Sequence, residues 1–164
     1  MAYIIKYEGI VWKRIREILS DYHLAEDAYQ ETVVRFLRYF SQLNTTIDVE
    51  VMCYLKAIAN SVSVTIYRKH YKICIMDEVD MFDREDQTQH IEDIIVNQET
   101  RRIVLGLILQ MDDMYSAPLL MYVRQEMSYK DIAKVLGIST DTARARVHRA
   151  RVKLKAMYAK ERGD

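Results

Sequence analysis

The chain is poor in the residues that punctuate a fold. Four glycines and one proline among 164 residues fall far below the roughly 12 per cent usual in globular proteins, which excludes a turn-rich β architecture and points to long helices. The two cysteines, Cys53 and Cys74, have no CxxC spacing. They form neither a zinc site nor a disulfide framework, and the expected setting is reduced and cytoplasmic, with both thiols incidental. No apolar run approaches the roughly 18 residues of a transmembrane helix, and Lys6 and Glu8 interrupt the N-terminus, so neither membrane insertion nor a targeting segment is expected. Catalytic signatures are missing as well. His23, His70, His90 and His148 show no HxxxH or HExxH spacing, and there is no Gly-rich phosphate loop or GxSxG. The acidic cluster between 77 and 93 lacks the central glycine of an EF-hand loop. No catalytic residue, metal or cofactor is expected.

Net charge is absent too, but that zero conceals an order. Residues 1–72 hold 10 basic and 8 acidic residues, 73–100 hold one and 9, and 101–164 hold 13 and 7, giving +2, −8 and +6. An acidic block followed by a basic tail indicates a polyanion-binding part and a segment with a different role.

Half of the residues are apolar, enough for one core or for two small ones. Val11, Ile15, Ile18, Leu19 and Tyr22 recur at helical spacing, as do Tyr29, Val33, Phe36, Leu37 and Phe40. Ser20, Asp21 and His23 break the pattern between these two helices, and Asp21 or a near neighbour is placed to cap the second. After the polar stretch 41–48, Val51, Leu55, Ile58, Val62 and Ile66 resume the period up to Arg68, Lys69 and His70. The fold expected is all-α, with two small helical domains at 1–72 and 99–164 joined by an acidic linker at 73–98. In the second domain Ile103, Val104, Leu107, Ile108 and Met111 form one stripe, and Leu119, Leu120 and Val123 lie on a further helix. Pro118 fits either the first turn of that helix, after a Ser116 cap, or the interior of a helix begun near Asp112.

The stretch from Tyr129 to Arg151 is the most informative. Tyr129, Ile132, Ala133 and Leu136 give a short stripe, Gly137 supplies a positive-φ end, and Ser139 or Thr140 caps the next helix. This is a helix-turn-helix pattern. The second helix carries Ala143, Val147, Ala150, Leu154 and Met157 on its inner side. Residues 142–162 hold 8 basic residues against one acid, Glu161, whereas an ordinary solvated face mixes signs. At about 100° per residue, Thr142, Ala145, His148 and Arg149 fall on or beside the outward face and are the base-reading candidates. Arg144, Arg146, Arg151 and Lys153 lie on the flanks as phosphate candidates.

These residues resemble region 4 of bacterial RNA polymerase sigma factors of the extracytoplasmic-function (ECF) type. Ser128-Tyr129, Asp131-Ile132-Ala133, Leu136-Gly137-Ile138, Thr142 and the run Arg146-x-His148-Arg149-Ala150-Arg151 stand in that register. Upstream, Ala25-Glu26-Asp27-Ala28-Tyr29-Gln30-Glu31 followed by Arg35 resembles the start of sigma region 2. Tyr54-Leu55, Ile58-Ala59 and Arg68-Lys69 resemble its promoter-reading helix. The resemblance implies that the chain binds core RNA polymerase, its β′ clamp and β subunits, and promoter DNA, with an anti-sigma factor as a further candidate partner. Carried over, the core-docking face comprises Asp27, Gln30, Glu31, Val34, Arg35 and Arg38. The −10 element falls to Lys56, Asn60, Ser61, Arg68 and Lys69 and to the loop Phe40 to Cys53, and the −35 element to the second helix of the helix-turn-helix. The acidic linker would then thread a nucleic-acid path in the polymerase, or alternatively fold back on the basic tail. Two other classes compete: a stand-alone helix-turn-helix regulator with an N-terminal dimerisation or sensing bundle, and a helical interaction module that binds no DNA.

Overall fold

The computed structural model describes residues 2–43, 47–71 and 98–163. The acidic segment expected as a linker, 73–98, lies outside the described residues except at Gln98, and so does Cys74. Among the described residues there are seven α-helices and no strand, the all-α class that the scarcity of glycine and proline implied.

α1 (Ala2–Ile18) buries Ile4, Val11 and Ile15, with Leu19 just beyond its end. α2 (Tyr22–Phe40) begins where the sequence placed a cap, because the Asp21 carboxylate accepts the Leu24 N–H at 3.0 Å. That bond holds Asp21 below the ordinary carboxylate range. His23, expected in the break, lies inside the helix.

The seam of α2 differs from the expected one. Its buried residues are Ala25, Ala28, Thr32 and Phe36, with Tyr29, Val33 and Phe40 at the edges. Leu37, counted in the apolar stripe, is 44% exposed. Two alanines allow a close helix approach, and the helix turns that small-residue face inward. Thr32 is accommodated because its hydroxyl donates to the Ala28 carbonyl at 2.7 Å.

α3 (Asp48–Tyr71) is the centre of the molecule. It packs on α1 and α2 and, with other residues, on α5 and α6. Beyond the expected Val51, Leu55, Ile58 and Val62, it buries Glu50, Cys53, Tyr54, Ala57, Ser61 and Ser63. A helix buried on several sides loses its amphipathic signature. For the same reason α3 is long and apolar enough, by length and composition alone, to cross a membrane, although most of it is buried inside the protein. Asp48 and Glu50 in the first turn, and Arg68, Lys69 and His70 in the last, oppose the partial charges at its ends. The helix therefore starts earlier than the loop expected between Phe40 and Cys53 allowed.

The second half contains α4 (Gln98–Leu109), α5 (Asp113–Arg124), α6 (Tyr129–Leu136) and α7 (Thr140–Glu161). α4, α5 and α6 all pack on α7. Pro118 lies inside α5, well past its first turn, which decides between the two placements left open by the sequence. The Met114 carbonyl forgoes its usual i+4 donor there. Burial of Ser116 through Met121 outweighs that loss.

Burial also affects ionisation. The Cys53 thiol is pushed up to about 11 by burial first and by the nearby Asp113 carboxylate second, and burial raises the Tyr54 phenol, with Glu50 adding to it. Both groups are neutral in the folded chain. Once unfolded they ionise near their ordinary values, so the unfolded state releases protons first as pH rises, and stability is lost above about pH 9. We expect the urea midpoint to fall between pH 8 and 10.5 by an amount equivalent to roughly 2 kcal/mol from the thiol. Cys53→Ala and Tyr54→Phe should each flatten this decline; an unchanged slope in both would remove the explanation.

Candidate nucleic-acid interface

Three local devices build the helix-turn-helix. Ser128 precedes α6 with extended backbone, and its hydroxyl accepts the Asp131 N–H at 3.2 Å while donating to the Asp131 carboxylate at 2.6 Å. The first bond satisfies one first-turn donor, and the second, with Lys134 adding, holds Asp131 below the ordinary carboxylate range. Gly137 then ends α6 in the left-handed region at φ 67°, and both its N–H and that of Ile138 donate to the Ala133 carbonyl. A side chain at Gly137 would be strained by that φ and would also collide with the Arg35 guanidinium. Finally Ser139 caps α7 by accepting the Thr142 N–H at 3.1 Å. Ile132, Ala133 and Leu136 of α6 and Ala143, Val147, Ala150 and Leu154 of α7 are buried, as the spacing indicated.

On α7, exposure does not divide the candidates into the expected base-reading and phosphate sets. Arg144, His148 and Lys153 are exposed, and Thr142, Ala145, Arg146, Arg149 and Arg151 are half-buried. Thr142 is fixed at its hydroxyl, 2.7 Å from that of Ser139. Arg144 pairs with Asp141 at 3.2 Å. Val152, 58% exposed, continues the outer face.

On α2, Asp27, Gln30, Glu31, Val34 and Arg38 are exposed and follow one another at helical spacing. Leu37 joins them, so the face has two exposed apolar residues, Val34 and Leu37, rather than one. Sequence reasoning missed Leu37 because its period also fits the seam. Arg35 departs from this face. It pairs with Glu31 at 2.8 Å and also donates to the Leu136 carbonyl at the end of α6, at 3.4 Å.

The candidates on α3 face the second half of the chain. Lys56 pairs with Asp113 of α5 at 3.1 Å, and Ser61 donates to the same Leu136 carbonyl that Arg35 reaches. Asn60, Ser61 and Arg68 line a cleft whose opposite wall is Ser139, Thr142 and Arg146. Lys69 is exposed. At the other end of α3, Glu50 is fully buried and faces Arg124 of α5 at 2.7 Å. In this arrangement Ser61 is buried against α6, while Lys56 stays partly exposed beside α5. No group of His, Cys, Asp and Glu with metal-binding geometry occurs among the described residues.

Fold and interface together define an all-α protein with a DNA-binding helix-turn-helix near its C-terminal end. The family model for sigma-70, region 4, matches residues 101–154. The chain is 27% identical over 155 residues to the ECF RNA polymerase sigma factor SigM of Bacillus subtilis (strain 168), covering 93% of this chain and 90% of that protein. It is 29% identical over 144 residues to the RNA polymerase sigma factor YlaC of the same organism, covering 85% and 80%. Residues 101–154 are thus a sigma-70 region 4, and over most of its length the chain is similar to RNA polymerase sigma factors, one of them of the ECF group.

The ion pair between Glu50 and Arg124 generates a test of how the two halves are held. Removing the cation that faces a buried carboxylate costs roughly 3 kcal/mol. Arg124→Ala should therefore loosen α5 from α3, with faster amide exchange in both helices, and adding Glu50→Gln should recover part of the protection. Exchange unchanged from the wild type in Arg124→Ala would show that the pair contributes nothing to the packing.

Proposed function

We propose that the chain binds core RNA polymerase and directs it to start transcription at promoters recognised through two elements. The observation that carries this reading is the capped helix-turn-helix with its cation-rich α7, on a chain whose α2 also presents a face of mixed charge and exposed apolar residues. Isolated phosphate contacts attract any DNA. Selective initiation requires base contacts and a catalytic partner, since the chain itself carries no recognisable catalytic motif.

In this reading Asp27, Gln30, Glu31, Val34 and Arg38, with Leu37, dock on the β′ clamp, and Arg35 joins them once it leaves Leu136. Lys56, Asn60, Ser61, Arg68 and Lys69 meet the −10 element. Thr142, Ala145, His148 and Arg149 read the −35 element while Arg144, Arg146, Arg151 and Lys153 contact its phosphates, beside the β subunit. Arg149 has the donor geometry for a guanine edge, and the Ala145 methyl suits a thymine methyl. Residues 1–72 and 99–164 act as separate modules joined by 73–98, so that two modest contacts reinforce each other through one polymerase. This work takes place in the cytoplasm, and an anti-sigma factor is the class of protein expected to hold the chain inactive.

Run-off transcription with purified core polymerase on a random promoter library tests the reading. Defined start sites that appear only with the added chain are expected, and a footprint on one operator without polymerase, with no new start sites, would overturn it. Arg149→Ala should cost about 1–3 kcal/mol of selectivity at one −35 position. Asp27→Ala should weaken retention of the chain on immobilised core polymerase and leave duplex binding by α7 unchanged.

A further inference from the structure

Tyr115, Tyr122 and Tyr129 are spaced seven residues apart, and all three are half-buried. The first two share a face of α5, two turns apart. Tyr129 opens α6 and stacks on Tyr122, with ring centroids 5.0 Å apart and planes 14° from parallel. Each ring lies beneath a cation of α7. Lys153 Nζ is 4.7 Å from the Tyr115 centroid, Arg151 Cζ is 4.6 Å from that of Tyr122, and Arg144 Cζ is 5.6 Å from that of Tyr129.

These three cations are not scattered round the helix. Arg144 and Arg151, two turns apart, share one flank of α7, and Lys153 projects from the other. A helix lying in a major groove meets one phosphate strand on each flank. The outward residues Ala145, His148 and Val152 project from the surface between the flanks. The tyrosines therefore sit beneath the cations placed to touch backbone and not beneath the residues placed to touch bases.

Ring and phosphate do not compete for the same part of the cation. The ring attracts it through the negative face of its quadrupole, whereas a phosphate is bound by N–H groups, which in arginine lie in the guanidinium plane. A seated cation keeps donors to offer and has already lost much of its rotamer freedom. Building on the reading of α7 as the DNA-facing helix, we propose that Tyr115, Tyr122 and Tyr129 are positioning residues for the phosphate contacts. They hold Lys153, Arg151 and Arg144 on the two flanks, and they set affinity for duplex DNA without setting sequence preference.

The test uses the full chain and a fluorescein-labelled 30-base-pair duplex of random sequence, with anisotropy measured across a series of KCl concentrations. Tyr122→Leu should weaken binding about fivefold, and the slope of log affinity against log salt should fall by about 0.9, the value for one lost phosphate contact. Tyr122→Phe, which keeps the ring face, should stay within about twofold of the wild type. In an Arg151→Ala background, Tyr122→Leu should cause no further loss. Three results would each overturn the proposal: wild-type binding in Tyr122→Leu, an equal loss in Tyr122→Phe, or full additivity with Arg151→Ala. If Tyr122→Leu fails to fold, Tyr115→Leu with Lys153→Ala poses the same question on the other flank. A wild-type chain that binds no duplex, alone or with core polymerase, would remove the DNA-facing reading itself. Binding that the tyrosine variants share equally removes only the seats.

Discussion

A helix with apolar residues on opposite faces has to be covered on both sides, and α3 imposes that requirement on everything around it. Its first face is closed by α1 and α2, which by themselves form a three-helix bundle with it. Its second face carries Cys53, Tyr54 and Ala57 among buried residues, and α5 and α6 cover it. Exposing that surface to water would cost roughly 25 cal/mol for each Å² of apolar area. The two halves of the chain are thus held together by the same effect that folds each of them. The polar pairs at this boundary, Glu50 with Arg124 and Lys56 with Asp113, add register to an attraction that is otherwise non-directional.

The helix-turn-helix is stabilised differently. α6 has only eight residues, too few to persist alone in water, so its ends must be satisfied locally and its inner side packed on α7. Ser128 and Gly137 meet the first need and Ile132, Ala133 and Leu136 the second. α7 is the opposite case. Its outer side is so rich in cations that its fold rests on the narrow strip Ala143, Val147, Ala150 and Leu154, which leaves the remaining surface available for charge.

The parts of this structure legible in the sequence are those in which neighbouring residues determine the outcome. Asp21, Gly137 and Ser139 act on partners within a few positions of themselves, so their roles could be read from spacing, whereas the Ser128 cap was not read there. The α7 seam was equally plain, because alanine, valine and leucine at steps of four and three match only one face. Leu37 was misplaced because its period fits two faces of α2, and the small residues Ala25 and Ala28 decided between them by permitting closer contact. Pro118 could not be placed from propensity, since tertiary burial outweighed the local penalty. The covering of α3 by α5 and α6 depends on residues far apart in sequence. Glu50 within an otherwise apolar stretch was the signal available, because a buried carboxylate requires a cation somewhere. The residues assigned to polymerase and promoter contact rest on resemblance, and geometry adds that several of the α3 set face the other half of the chain.

The carbonyl of Leu136 takes on a different meaning in this setting. One oxygen at the end of α6 receives both the Arg35 guanidinium from α2 and the Ser61 hydroxyl from α3. Arg35 divides its donors between this oxygen and Glu31 on the exposed face of the same helix. A partner that seats itself on that face and captures the guanidinium removes one of the bonds holding the turn, and so lowers the free energy needed to part the two halves. By thermodynamic reciprocity, a chain whose halves had already parted would bind such a partner more tightly. A single shared acceptor thus ties the exposed face of α2 to the turn that ends α6.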